Sequence, residues 1–477
     1  MSHPGQVHEP ERHQTNTAAV IRITTVAAFG GLLFGYDSAV INGAVSSIQS
    51  TFDVGPGPLG FAVAAALLGA AVGAFFGSRI ADRTGRIPVM KIAALLFLLS
   101  AIGCALTQSI EWLVFWRVIG GIGVGVASVI APAYIAEVAP AHLRGRLGSL
   151  QQMGIVLGIF LSLLIDALLA HWAGGASQEL WLGLAAWRWM FLIMAVPSVL
   201  YGIGAFMIPE SPRYLVSAGR PDEARAVLSR IHGDDAVDAR VAKIESTVNN
   251  ERKPRFADLR GSMAGLKPVV WVGIGLAALQ QFVGINVIFY YSNVLWESVG
   301  FKESDSFTIS VATSVVNVLV TIVAIFLVDR VGRRPLLLVG STGMAVTLAV
   351  LAVVFATANK VMVDGQLTPD LGPVAGPLAL IAANLFVVFF GVSWGPLMWV
   401  LLGEMFPNHI RGAALAVAGA VQWIANWAVT VSFPSMSNYS LGMTYGVYAF
   451  FALVSLVFTV KMVKETNNVE LEDMTAS

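Results

Sequence analysis

Apolar positions along this chain come in long blocks. A membrane-crossing helix needs about 20 mostly apolar residues. Twelve blocks meet that length, at about 20–46, 59–79, 88–108, 112–136, 148–171, 188–208, 267–297, 306–328, 335–358, 374–403, 412–433 and 441–463. A polar stretch, 209–266, separates the sixth block from the seventh. The pattern predicts an all-α membrane protein with twelve transmembrane helices. Its expected parts are a tail over 1–19, a six-helix bundle over 20–208, a helical linker over 209–266, a second bundle over 267–463 and a tail over 464–477. The first, seventh and tenth blocks are longer than a bilayer requires, so tilt or local unwinding is expected there. In the linker, Pro221 followed by Asp222–Ile231 reads as a helix start.

Lysine and arginine crowd alternate connections. Arg79, Arg83, Arg86 and Lys91 flank the second, Arg144 and Arg146 lie in the fourth, and Arg330, Arg333 and Arg334 lie in the eighth. The linker holds many more, whereas the intervening loops carry only Lys302 and Lys360. Basic loops stay on the cytoplasmic side, so both termini and the linker are expected in the cytoplasm, in a multi-pass protein of the cell (inner) membrane. Composition agrees. Charged residues make up 12% of the chain, against about 25% in soluble domains. Net charge is zero, which gives no electrostatic case for nucleic acid. Cys104 is the sole cysteine and is expected to be a small packing residue. His3, His8 and His13 recur in the first stretch, which reads as a disordered polar tail and not as a metal site. No phosphate-binding Gly-x-x-x-x-Gly-Lys-Ser/Thr loop occurs, which argues against an ATP-driven pump.

Two charges fall inside apolar blocks, Asp37 in the first and Arg117 in the fourth. An ionisable group at that depth costs roughly 2.5–3.5 kcal/mol and marks a functional position. Asp37 is therefore a candidate proton site, with Arg117 its partner. The chain also repeats itself. Asp82-Arg83-Thr84-Gly85-Arg86 after the second block matches Asp329-Arg330-Val331-Gly332-Arg333 after the eighth. The stretch Glu137 to Arg144 after the fourth matches Glu404 to Arg411 after the tenth. Such duplication indicates a transporter of two related bundles with substrate near the midplane. The repeated charges Asp82, Arg83, Glu137, Arg144, Asp329, Arg330, Arg333, Glu404 and Arg411 are candidates for a cytoplasmic gate; ordinary helix-end anchoring is the plain alternative. Gly121-Ile-Gly123-Val-Gly125 has no preceding strand and reads as helix packing, as do Gly69, Gly73 and Gly77. Asp166 in the fifth block is expected near the external surface.

These motifs resemble the sugar porter family of the major facilitator superfamily, in particular bacterial proton-coupled xylose and glucose symporters. The resemblance runs from about Gly30 to Lys461. It rests on Gly30-Gly-Leu-Leu-Phe-Gly-Tyr-Asp37, Asp82 to Arg86, Arg117 to Gly125, Pro209-Glu-Ser-Pro-Arg213, Gln280-Gln281-Phe-Val-Gly-Ile-Asn286, Asp329 to Arg334, and Trp394-Gly-Pro with Trp399 and Glu404. It implies two pseudo-symmetric six-helix bundles with a small cytoplasmic helical domain, and proton-coupled import of a monosaccharide, with glucose first and xylose or another hexose next. Alternatives are a facilitative uniporter of the same fold or a polyol or inositol symporter. A sugar sensor without flux would want a longer tail, and no nucleophile–base or metal constellation suggests an enzyme. The implied partners are sugar, proton and bilayer, with no cofactor, no metal and a monomeric state.

The resemblance also implies a switch in which protonating Asp37 loosens its pair with Arg117. Sugar recognition calls for amides that donate and accept and for aromatic faces. The candidates are Phe34, Gln280, Gln281, Asn286, Tyr290, Tyr291, Asn317, Trp399, Gln422 and Trp423, with Tyr290 and Tyr291 placed to close over the site. Two positions depart from the family pattern. Ile159 stands where a sugar-binding glutamine is usual, and Lys464-Glu465-Thr466 replaces a terminal Pro-Glu-Thr.

Overall fold

The computed structural model describes residues 17–140, 144–232, 237–250, 256–363 and 366–466. The histidines of the N-terminal tail and the end of the C-terminal tail lie outside them. Twelve helical spans are long and apolar enough to cross a membrane. The first six are Thr17–Phe52, Pro56–Thr84, Arg86–Leu106, Ile110–Val138, Leu147–Ala173 and Ala186–Met207. The second six are Pro268–Tyr290, Glu303–Val328, Arg333–Ala356, Gly372–Met405, Arg411–Tyr439 and Leu441–Met462. Helices overrun the expected ends because capping sets them, not hydropathy. Pro56 sits at a first helical turn, and the Ser109 and Ser440 side chains accept from Trp112 N and Met443 N. Large apolar side chains such as Phe76, Leu99, Phe326 and Val353 are exposed on the outside of the bundle, where a bilayer would cover them.

Between the sixth and seventh spans lie Pro212–Ser217, Pro221–His232 and Val237–Asn250, all helical. The end of the bundle that bears them is called the linker end, and the opposite end the distal end. Two antiparallel hairpins also form. One pairs Glu179–Trp181 with Leu184–Ala185, and the other pairs Asn359–Val363 with Gln366–Asp370.

Small residues set the packing. Spans two and four approach most closely, because a Cβ added at Gly69, Gly73, Gly121 or Gly125 would overlap backbone atoms of the facing helix. Spans one and five meet similarly through Gly31, Gly35, Gly154 and Gly158. The three long blocks all break, and so does the shorter sixth span, at Met194. The first span interrupts its helix at Val40, three residues after Asp37. The seventh breaks at Gly284, whose φ of 80° only glycine adopts cheaply and whose added Cβ would sit 2.6 Å from the Tyr448 ring. The tenth breaks at Ser393.

The first six spans meet the last six at the distal end. Asn42 Oδ1 accepts from Asn293 N at 3.0 Å, Ser46 donates to Glu297 Oε2 at 3.0 Å, and Ala176 N donates to Glu303 Oε1 at 2.9 Å. A Cβ on Gly60 would meet Val431 O at 2.5 Å, so spans two and eleven also close tightly there.

Candidate functional site

Asp37 and Arg117 are brought together in the interior. Asp37 is 1% exposed and Arg117 2%. Arg117 Nη1 donates to the Asp37 backbone carbonyl at 2.9 Å and reaches its Oδ2 at only 3.4 Å. The guanidinium is thus anchored mainly by main chain, and the carboxylate contact is the looser of the two. The second carboxylate oxygen, Oδ1, is buried without a hydrogen-bond partner among the described residues. A narrow cleft lined by Asp37, Ser38, Arg117, Tyr290 and apolar residues of the second and fourth spans lies beside the pair, with room for about one water. A proton can therefore sit on Asp37 and weaken its pull on Arg117 without releasing Arg117 from the helix.

The predicted amides form one connected cluster around the break in span seven. Gln280 is the hub. Its Nε2 donates to Trp394 O at 2.9 Å, and its Oε1 accepts from Gln281 Nε2 and Gln422 Nε2, both at 3.0 Å. Asn286 Nδ2 donates to Gln281 Oε1 at 2.6 Å. The helix break at Gly284 lets side chains from both sides of it converge, and the break at Ser393 presents the Trp394 carbonyl. Gln280 and Gln281 are buried, while Gln422 and Asn286 keep partial exposure. Phe34 meets Trp423 across the two halves, with ring centroids 5.9 Å apart. The arrangement offers donors, acceptors and an aromatic wall, as a polyhydroxylated ring requires.

The remaining candidates fall in different places. Tyr290, on the same span as the amides Gln280, Gln281 and Asn286, lines the Asp37 cleft. Tyr291 instead donates to Thr430 O at 3.0 Å and packs on Phe433, which makes it a wedge inside the second half. Asn317 is partly buried near Gly391, and Trp399 is 44% exposed with its ring edge beside Gly419. Neither joins the amide cluster by a hydrogen bond given by its side chain among the described residues. Asp166 lies towards the distal end, against Gly43, which follows Asn42 in sequence, but without solvent exposure. The glycine leaves room for its carboxyl.

At the linker end the repeated charges pair within each half. Arg86 Nη2 meets Glu137 Oε1 at 2.8 Å and Asp82 at 3.4 Å. Arg333 Nη2 meets Glu404 Oε1 at 2.8 Å. Arg83, picked out from sequence, points to solvent, and Arg86 takes its place. Aligning the two repeats would have revealed this, since Arg86 stands opposite Arg333. Arg411 donates to Phe406 O; Arg330 is exposed; the side chains of Arg144 and Asp329 lie outside the description. Two further residues were legible only as motif letters. Glu210 accepts from Arg86 N and Ile87 N at 2.9 and 3.1 Å, and Glu465 accepts from Arg333 N and Arg334 N at 3.0 and 2.9 Å. Each carboxylate caps a helix N-terminus, and positive φ at Gly85 and Gly332 makes the approach possible.

Comparison with known proteins bears on this geometry. Residues 23–477 match the family model described as sugar (and other) transporter. The chain is 55% identical to the glucose transport protein of Synechocystis over 98% of its own length and 99% of that protein's. It is 36% identical to the D-xylose-proton symporter of Escherichia coli, over 97% and 96% of the two chains. Among solved structures it resembles the Escherichia coli xylose transporter in a partially occluded inward-open conformation, with a TM-score of 0.81 and 35% identity, covering 95% of this chain and 100% of that one.

Proposed function

The chain belongs to the sugar transporter family, and from that premise we propose that it imports a monosaccharide, glucose before xylose or other hexoses, together with a proton. The observation that carries the proposal is the buried Asp37 held against Arg117 beside the amide cluster. In this reading the sugar binds at Gln280, Gln281, Asn286 and Gln422, and its ring lies against Phe34 and Trp423. Protonated Asp37 lets the two six-span halves rock about that site. Span seven joins the two events, because Tyr290 faces the Asp37 cleft while Gln281 and Asn286 face the sugar. The linker end is the cytoplasmic end, following the basic loops, and the protein works as a monomer in the inner membrane. The closed distal contacts and the resemblance to an inward-open relative both support an inward-facing state. The pairs Arg86–Glu137 and Arg333–Glu404 would then re-form across the halves, or hold their helices rigid, when the cytoplasmic side shuts.

The test replaces Asp37 with Asn and compares two assays in proteoliposomes. Uphill glucose uptake driven by a proton gradient should vanish. Counterflow exchange should persist, since Asn retains the backbone carbonyl that anchors Arg117. Unchanged uphill uptake would remove Asp37 from the coupling and assign the proton to another group.

A further inference from the structure

The distal seal contains a carboxyl group that the transport chemistry does not use. Glu297 ends the short helix Ser292–Glu297, outside the membrane-spanning segments, and accepts a hydrogen bond from Ser46 of the first span at 3.0 Å. Glu303, at the start of the eighth span, accepts from Ala176 N, and Ser177 donates to Ser47 at 2.8 Å. Both carboxylates belong to the second half, and both are clasped by uncharged donors of the first half. Among the described residues no ion pair to either carboxylate is seen. Ile41–Phe52 has no ionisable residue, and neither does the loop 174–177. The neighbouring helix Ile285–Tyr290 offers only Tyr290, and the eighth span brings Glu303 itself, flanked by Lys302 and Asp305.

Burial and the nearby Glu303 raise the Glu297 carboxyl from its ordinary 4.5 to about 7, against the opposing effect of the Ser46 hydroxyl. Glu297 is half-buried and Ser46 exposed, so parting the two halves at the distal end would break this contact and return the carboxyl fully to water. We infer that Glu297 is a positioning residue of the transport cycle: a proton taken from the distal side seals that end, and loss of the proton unlocks it. The inference rests on the chain alternating between two facings, but not on which residue couples the proton. The sign follows from linkage. The group binds its proton more tightly when the seal is shut, so closure is favoured fully below 4.5 and the advantage is lost as pH rises through about 7. Across that window closure should weaken by about one to two orders of magnitude, since the carboxyl keeps part of its hydration. The proton enters and leaves on the same side, so the number of protons carried per sugar does not change.

The test places spin labels at the exposed pair Gln49→Cys and Ser304→Cys and measures their distance distribution against pH in the full-length protein. The background is Asp37→Asn, so that coupling at Asp37 cannot supply the pH dependence. The short-distance population should fall as pH rises towards about 7. Glu297→Gln should leave the seal closed at every pH. Ser46→Ala should move the transition to higher pH, and Glu303→Gln should move it to lower pH. A pH-independent distribution, a transition that survives Glu297→Gln, or either neighbour moving it the other way would overturn the inference. Failure of the coupling proposal would show separately, as uphill uptake by Asp37→Asn protein.

Discussion

Replacing Gln280 with Ala tests whether the amide cluster is the sugar site. Gln280 donates to Trp394 O and accepts from Gln281 and Gln422, so its loss removes the hub and not one spoke. With the hub gone, Gln281 and Gln422 lose their shared acceptor. A net hydrogen bond is worth about 0.5–1.5 kcal/mol. Losing two that a sugar hydroxyl would share costs about 1–3 kcal/mol, roughly 5- to 150-fold in Kd. The fold itself should suffer little, because the partly exposed Gln422 and Asn286 can turn to water. The assay is calorimetric titration of purified protein with glucose, with thermal unfolding recorded in parallel. Gln422→Ala should cost less than Gln280→Ala, and the double variant should cost less than the sum, since both changes remove the same contact. Binding within twofold of the parent for Gln280→Ala (under about 0.5 kcal/mol), or strictly additive losses, would refute the assignment.

Other outcomes follow from single contacts. Gly284→Ala should lower the melting temperature and abolish transport, because φ is 80° and the new Cβ meets the Tyr448 ring; unchanged stability would refute the strain argument. Asp166→Asn should preserve uphill uptake and thermal stability, since the carboxyl has no ionic partner among the described residues and its site beside Gly43 fits an amide; loss of proton-driven uptake alone would make it a second coupling group. Glu210→Gln and Glu465→Gln each weaken a capped helix start by about 0.3–1 kcal/mol. Either should slow exchange without altering sugar affinity in equilibrium titrations, and an affinity change would place them in the binding site instead.

Much of this molecule could be read before any coordinates were in hand. Apolar block lengths located all twelve spans, and blocks one, seven and ten, the long ones, break at Val40, Gly284 and Ser393, while the sixth span breaks at Met194 with no excess length to announce it. Asp37 and Arg117 were visible because charge in an apolar block has few explanations. What escaped was orientation. Nothing in the spacing distinguishes Arg83 from Arg86 except the facing repeat, and only packing shows that Tyr291 turns inward to Thr430 while Tyr290 turns to the cleft. The full burial of Asp166 is not legible from its block, because the small partner that makes room for it, Gly43, lies far away in sequence. The hairpin Asn359–Asp370 was overlooked although Asp364-Gly365, a turn-forming pair outside the described residues, sits in its middle.

The coupling itself can be watched directly. Purified protein in liposomes, with no imposed gradient and a weakly buffered external medium, is given glucose while external pH is recorded. The account predicts a sugar-evoked alkalinisation that saturates with glucose and is absent from Asp37→Asn protein. Glucose entering the same vesicles with no accompanying movement of protons would contradict it.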